Sequence, residues 1–148
     1  MKTLVVIKPD GVRRNLIGAI LSKFEKAKIS ISSLKMMKLT MDQAKEMYAV
    51  HREKDFFPGL LEYVTSGPVV AAMLELNSPS IDEAISQVRE IVGATNPIQA
   101  ASGTIRGDFG IKEEVDSDKM ENLIHASDSS EAISNEAPVF FSQEELID

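Results

Sequence analysis

The stretch Asn122-Leu-Ile-His-Ala-Ser-Asp-Ser129 carries one of only two histidines in the 148-residue chain, delivered from a short apolar run into small and polar residues. A neutral imidazole in such a place can serve as a general base, a metal ligand or a nucleophile. The plainer reading is a histidine at a strand end that hydrogen-bonds locally. Five more polar residues stand in apolar or Gly/Pro-rich settings: Lys8, Arg89, Thr95, Arg106 and Asn122. Lys8 closes an apolar run just ahead of Pro9-Asp-Gly11. Arg89 falls opposite the apolar stripe of its helix, where a solvated arginine is the ordinary outcome. Arg106 lies between Gly103 and Gly107, and flanking glycines let backbone and ligand approach closely.

The chain has no cysteine, which rules out disulfides and thiolate metal sites. Its formal charge is −7, from 16 basic and 23 acidic residues, the wrong sign for a non-specific nucleic-acid binder. An anionic ligand must then be held in a local pocket by a few placed cations and backbone donors. No apolar run approaches the ~20 residues that span a bilayer, and no signal-peptide pattern is present. The expectation is a cytoplasmic protein with neither membrane nor specific nucleic acid as partner. Glycine motifs of the P-loop and Rossmann kinds are missing. Asp108-Phe-Gly110 spells the magnesium motif of protein kinases in a chain far too short for that fold. Asp116-x-Asp118 lacks the glycine and glutamate of a calcium loop, and a zinc site would need both distant histidines plus carboxylates.

These residues need elements to carry them. Residues 3–8 form a β-branched apolar run, a buried strand that Pro9-Asp-Gly11 breaks with turn chemistry. Leu16, Ile17, Ile20, Leu21 and Phe24 recur at helical spacing, predicting a helix over 16–27. A second strand over 29–39 changes face midway, as a bulge would make it do. Thr40 with Gln43 is a capping box for a helix over 41–51. Asp55-Phe-Phe-Pro-Gly59 opens a shorter helix ending near 64, and residues 69–76 make a third strand. Ser80 starts a helix with Ile81, Ala84, Ile85, Val88 and Val92 on one face. Between 93 and 122 no periodicity survives, which in a compact domain marks a functional loop; its acidic part, 112–121, reads as a solvated excursion. The opening stretch supplies a fourth strand. Ser129 or Ser130 starts a last helix that Pro138 ends within about two turns, and Phe140 and Phe141 pack back on the core. The whole, 1–148, is one domain: an α/β (α+β) ferredoxin-like sandwich, a four-stranded antiparallel sheet with helices on one face. Oligomerisation would ease the edge strands of such a sheet.

Lys8-Pro-Asp-Gly-Val12, Phe56-Phe-Pro-Gly-Leu60, Ser66-Gly-Pro-Val-Val70, Thr95-Asn-Pro97, Gly103-Thr-Ile-Arg-Gly-Asp-Phe109 and the opening stretch follow one another along the chain. In order and approximate spacing they resemble nucleoside diphosphate kinases, and Glu144-Glu-Leu146 fits the family's close. The resemblance covers essentially the whole chain. It implies that a γ-phosphoryl group passes from a nucleoside triphosphate to His125 and on to a nucleoside diphosphate, in ping-pong fashion. By position Glu136 and Ser127 would orient the imidazole, and Tyr48 would brace its surroundings; a plain exposed helix glutamate is the competing reading of Glu136. Arg89 and Arg106 match the phosphate-clamping arginines, whose planar forks suit phosphate, and Thr95 matches a hydroxyl donor. Lys8 matches a contact to ribose and phosphates, and Asn122 a ribose partner. Phe56 matches the aromatic on which the base stacks, with Leu60 lining the slot. Stacking reads only ring faces, so broad base tolerance is expected. Mg2+ would arrive bridging the nucleotide phosphates, with Asp128 touching its hydration shell. The implied partners are nucleoside triphosphates and diphosphates and further copies of the chain, as hexamer, tetramer or dimer. Asn122 and His125 lie along one strand, so the sugar contact and the nucleophile need a local twist to converge.

Three departures from the family pattern stand out: a longer segment between Phe109 and Asn122, Ala101-Ser102 in place of Lys-Pro, and the Pro138-Val-Phe-Phe141 ending. They bear on assembly contacts and loop order, and none removes a catalytic candidate. The alternatives from other classes are a catalytically weak nucleotide-binding scaffold and a small ligand-sensing α/β domain. A lapsed scaffold would have no reason to keep His125, Arg89, Arg106, Lys8 and Glu136 together.

Overall fold

A computed structural model describes residues 1–110 and 121–147. Strands β1 (Lys2–Ile7), β2 (Ser30–Met37), β3 (Val69–Glu75) and β4 (Ile124–Ala126) form one sheet of order β2-β3-β1-β4, antiparallel at every pairing. The helices are α1 (Pro9–Arg13), α2 (Ile17–Lys26), α3 (Met41–Met47), α4 (Phe57–Val64), α5 (Ile81–Val92), α6 (Ile105–Phe109) and α7 (Ser130–Phe140). This is the expected ferredoxin-like sheet. Among the described residues no helix is long and apolar enough to cross a membrane.

The expected one-sided packing is corrected, because helices cover both faces. Val5 and Ile7 of β1 join Ile20 and Phe24 of α2 and Ala84 and Val88 of α5. Leu4 and Val6, on the opposite face, join Tyr48, Leu60, Leu61 and Phe140. Apolar residues at consecutive positions of a strand need two covers, and each such side chain stabilises the fold by about 1.5–3 kcal/mol relative to exposure. β1 is thus anchored on both faces, and Lys8 leaves directly from its end.

Local signals set most boundaries. Gln43 N donates to Thr40 Oγ1 at 3.1 Å and Thr40 N to Gln43 Oε1 at 2.9 Å, which completes the capping box. Ser80 and Ser129 accept from Glu83 N and Ala132 N. The β2–β3 register shifts between Ile31 and Ser33, at the expected bulge. The predicted 41–51 helix ends at Met47 and gives way to a 3-10 turn, Ala49–His51.

Three further expectations change. Pro9-Asp-Gly11 is the start of α1, with Pro at the first helical position. Gly11 is required there, since a Cβ would stand 2.8 Å from Ile7 Cγ2. The loop over 93–122 contains a 3-10 turn, Pro97–Gln99, and the five-residue α6, capped by Asn96 and Thr104; both are too short to show periodicity. Pro138 does not end α7, which runs on to Phe140. A proline this close to the C-terminus removes a single helical bond, and Phe141 N still donates to Ala137 O at 3.0 Å. Phe140 and Phe141 are buried as expected. The excursion over 112–121 lies outside the described residues except for Glu121, whose carboxylate is 3.9 Å from the Arg13 guanidinium.

Candidate functional site

β4 joins the sheet through three residues, with Val6 opposite His125. Just before it Leu123 has φ +73°, and Ile124 N donates to Asn122 O at 2.9 Å. A three-residue turn with positive φ at a leucine is rare and strained, at a cost of about 1–3 kcal/mol. This is the expected twist, and neighbours hold it from every side. Lys8 N donates to Leu123 O at 2.8 Å. Leu123 N donates to Asp10 Oδ2 at 3.1 Å, while Tyr63 gives its hydroxyl to Asp10 Oδ1. Arg106 Nε donates to Asn122 O at 3.1 Å. The turn leaves the Asn122 amide between Lys8 Nζ, which donates to its Oδ1 at 2.9 Å, and Thr95 O, which accepts from its Nδ2 at 2.9 Å.

β4 is an edge strand, and its outward carbonyls face no other strand. Arg106 Nη2 donates to Ile124 O at 2.5 Å and Nη1 to Gly93 O at 3.1 Å. Arg89 Nη1 donates to Ala126 O at 2.9 Å. Two guanidiniums thus stand where a further strand would lie, blunting the edge and bracketing His125. Gly93 permits the tight exit from α5, with φ +94° and Thr104 Oγ1 only 2.5 Å from where a Cβ would be.

His125 Nε2 lies 2.6 Å from Glu136 Oε1, and Ser127 Oγ donates to the same oxygen at 2.8 Å. A carboxylate accepts, so Nε2 carries the ring proton and Nδ1 keeps its lone pair. Glu136 comes from the second turn of α7 and is buried, which removes the exposed-glutamate reading. The Tyr48 ring meets the imidazole edge-on, centroids 5.7 Å apart at 84°. Its buried hydroxyl has no hydrogen-bond partner among the described residues, and burial followed by the Glu136 charge pushes its pKa up. His51 stacks on Tyr48 at 6.4 Å and tilts against Phe56 at 5.3 Å. Burial, then Lys54 and His125, lower the His51 pKa. Phe56 is half-buried. Leu60 is 1% exposed, sealed into the core against which Phe56 packs.

The charges are unusual for a buried region. Lys8, Asp10 and Arg106 are 3%, 4% and 7% exposed. Burial first, then the Arg106 charge, lowers the Lys8 pKa to about 7, with Asp10 opposing. Burial and Arg89 lower that of Arg106 to about 10. Burial raises that of Asp10, against the pull of Lys8. Two desolvated cations beside one carboxylate make a locally positive site in an acidic chain, suited to an anion. Thr95 is exposed and borders, with Arg89 and Thr104, an open cleft of about 590 Å³. Asp128 is exposed. No group of three or more His, Cys, Asp or Glu that could hold a metal ion occurs among the described residues.

Lys8, Asn122, Arg106, the Thr95 carbonyl and the β4 backbone under His125 thus form one hydrogen-bonded array. Ser127, Glu136 and Tyr48 complete the surroundings of the imidazole, and Arg89 joins through Ala126. Leu60 and Asp128 stand apart from this array. Sequence reasoning missed Asp10, which accepts from the turn, Tyr63, whose hydroxyl rests on the other Asp10 oxygen, and His51, which bridges Tyr48 and Phe56. His51 could have been found from its place one helical turn after Tyr48.

A family model described as nucleoside diphosphate kinase matches residues 1–146. Among curated relatives, a nucleoside diphosphate kinase of Staphylothermus marinus is 48% identical over 147 residues, covering 99% of this chain and 96% of that one. One of Sulfurisphaera tokodaii is 49% identical over 146 residues, covering 99% and 92%. Among solved structures, a halophilic nucleoside diphosphate kinase from Halobacterium salinarum in complex with CDP superposes with a TM-score of 0.87 at 41% identity, over 100% of this chain and 91% of that one. The Aquifex aeolicus nucleoside diphosphate kinase gives 0.85 at 40% identity, over 99% and 98%.

Proposed function

The chain belongs to the nucleoside diphosphate kinase family, enzymes that transfer phosphoryl groups between nucleotides, and on that premise we propose that His125 Nδ1 is the atom that carries the phosphoryl group. The lone pair on Nδ1 attacks the γ-phosphorus of a nucleoside triphosphate. The bond to the bridging oxygen breaks, and the nucleoside diphosphate leaves with that oxygen's electrons. A terminal oxygen of a second diphosphate then attacks the phosphohistidine, and the nitrogen recovers its lone pair. Throughout, Nε2 keeps its proton on Glu136, which offsets the positive charge that develops on the ring. The observation that carries this reading is the 2.6 Å Nε2–Glu136 contact. It fixes the tautomer and leaves Nδ1 as the free nucleophile.

The remaining roles follow from charge and placement. Three of the five Arg106 N–H donors bond carbonyls, which leaves two for a phosphate. Arg89, Lys8 and the Thr95 hydroxyl add donors around the phosphates, and Lys8 with Asn122 meets the ribose. Phe56 stacks on the base over Leu60, with broad base tolerance. Ser127 helps hold Glu136, and Tyr48 fixes the ring plane. Mg2+ enters on the nucleotide phosphates as part of the substrate, with Asp128 near its water shell. A homo-oligomer, whether hexamer, tetramer or dimer, and a cytoplasmic setting belong to the same reading.

The test is direct. With Mg2+ and ATP the intact protein gains one acid-labile phosphate, and His125→Ala does not. An adduct that survives in His125→Ala, or that resists acid, overturns the assignment.

A further inference from the structure

We propose that Asp10 is a positioning residue for this transfer: its carboxylate latches Leu123 in the left-handed turn and so sets where Asn122 and His125 point. The inference rests on the catalytic reading above for its kinetic consequence, but the latch itself does not.

Asp10 occupies the second position of α1 and is almost wholly buried. A carboxylate removed from water needs partners: Leu123 N bonds one oxygen and the Tyr63 hydroxyl the other, with the Gly11 amide and the Lys8 charge also favouring the ionised form. Lys8 N and Arg106 Nε hold the carbonyls of Leu123 and Asn122. Among the described residues, Asp10 is the partner of the Leu123 N–H. That N–H decides the conformation, because an extended Leu123 would aim it elsewhere.

An unlatched leucine gains by relaxing to negative φ. Side chains alternate faces along an extended strand, so a β4 begun one or two residues early would swing Asn122 away from Lys8 Nζ and Thr95 O. It would also loosen Ile124, whose carbonyl Arg106 holds beside His125. The latch comes from a rigid base: Gly11 lets α1 lie directly on the turn, with Leu123 O only 3.3 Å from where a Cβ would be.

Three variants test the latch: Asp10→Ala, Asp10→Asn and Tyr63→Phe. For each, one measures single-turnover phosphorylation of His125 by Mg2+·ATP, thermal midpoint, and hydrogen exchange at the Leu123 amide. Asp10→Ala should phosphorylate roughly 10- to 100-fold more slowly, the scale of one hydrogen bond to a charged acceptor. Its Leu123 amide should exchange faster by a similar factor. Asp10→Asn keeps an acceptor for Leu123 N and should recover to within about fivefold of the parent, the neutral bond being the weaker one. Tyr63→Phe removes the hydroxyl donor from the other oxygen and leaves the Leu123 bond in place; it should lower the midpoint while the rate stays within about twofold.

Parental rate and parental Leu123 exchange in Asp10→Ala overturn the proposal. So does a slowing no greater than that of Tyr63→Phe at equal loss of thermal midpoint. Should Asp10→Ala fail to fold, Asp10→Asn decides: rate and Leu123 exchange must change together, and a rate that falls with unchanged exchange overturns the latch. A parent that forms no phosphohistidine sinks the catalytic reading instead, and Leu123 exchange still decides whether the latch exists.

Discussion

β2 and β4 are both edge strands of the sheet, yet they end it differently. β2 runs eight residues, with Leu34 and Met36 more than half exposed along it. β4 runs three, and its outward carbonyls at Ile124 and Ala126 are taken by Arg106 and Arg89. An open edge invites pairing with another chain, whereas a capped one does not. A strand would satisfy the β4 carbonyls without adding charge. Guanidiniums satisfy them and also place two cations on either side of His125. The shortest strand, lacking a neighbour, thus gathers two cations around His125, while the longer edge keeps two large apolar side chains exposed.

Removing the cap should separate the edges most sharply. Arg106→Ala loses three carbonyl bonds together with its phosphate donors, so kcat/KM should fall by roughly a thousandfold or more, with a clear drop in thermal midpoint. Arg106→Lys should recover little, because an ammonium cannot reach Gly93, Asn122 and Ile124 at once; near-parental activity in that variant would deny the fork its role. Arg89→Ala loses one carbonyl bond at an exposed site. It should cost about 10- to 100-fold in kcat/KM and less than about 1 kcal/mol of stability.

Lys8 gives a pH signature. Burial holds its pKa at about 7 in the free fold, well below the ordinary lysine value. A bound polyphosphate raises it again, so nucleotide binding near pH 8 should take up close to one proton. Affinity should be strongest below pH 7, fall as pH rises from there to the raised value, and level off above it. Calorimetry in two buffers of different ionisation enthalpy reads this uptake, which Lys8→Met should abolish. The sign for stability follows from the same values: between pH 7 and about 10 the unfolded chain holds a proton that the folded one lacks. Lys8 therefore adds a rise in stability of up to about 1.4 kcal/mol per pH unit across that window, and denaturation of Lys8→Met should lack that slope.

The smallest effect belongs to the open edge. Leu34→Lys with Met36→Lys touches no site residue, so the rate of His125 phosphorylation should stay within about twofold and stability within about 0.5 kcal/mol per substitution. Sedimentation velocity of the same protein and its parent reports whether copies of the chain associate through that edge; an association that both share would place the contacts elsewhere.

Much of this was legible in the sequence because single residues announce it. Thr40 with Gln43, Ser80 and Ser129 mark helix starts by their own side chains. Glycines flanking Arg106 singled it out. Leu123 announces nothing: a leucine in an apolar run reads as strand, and its left-handed backbone is imposed by Asp10, Lys8 and Arg106 from elsewhere in the chain. Asp10 hid in Pro-Asp-Gly, whose turn chemistry is equally that of a helix start with proline first. Five-residue helices such as α6 are too short for periodicity to reveal. The packing of both sheet faces was written in the consecutive apolar residues of β1 and β3, which a strictly one-sided sheet would not need.

The central claim is that Glu136 fixes the imidazole so that Nδ1 does the chemistry. It is tested most directly by phosphorylating isotope-labelled protein with Mg2+·ATP and reading phosphorus–nitrogen coupling by NMR at the histidine ring. Phosphorus should appear on Nδ1 of His125, with Nε2 still protonated against Glu136. Phosphorus on Nε2, on His51 or on a serine would contradict it.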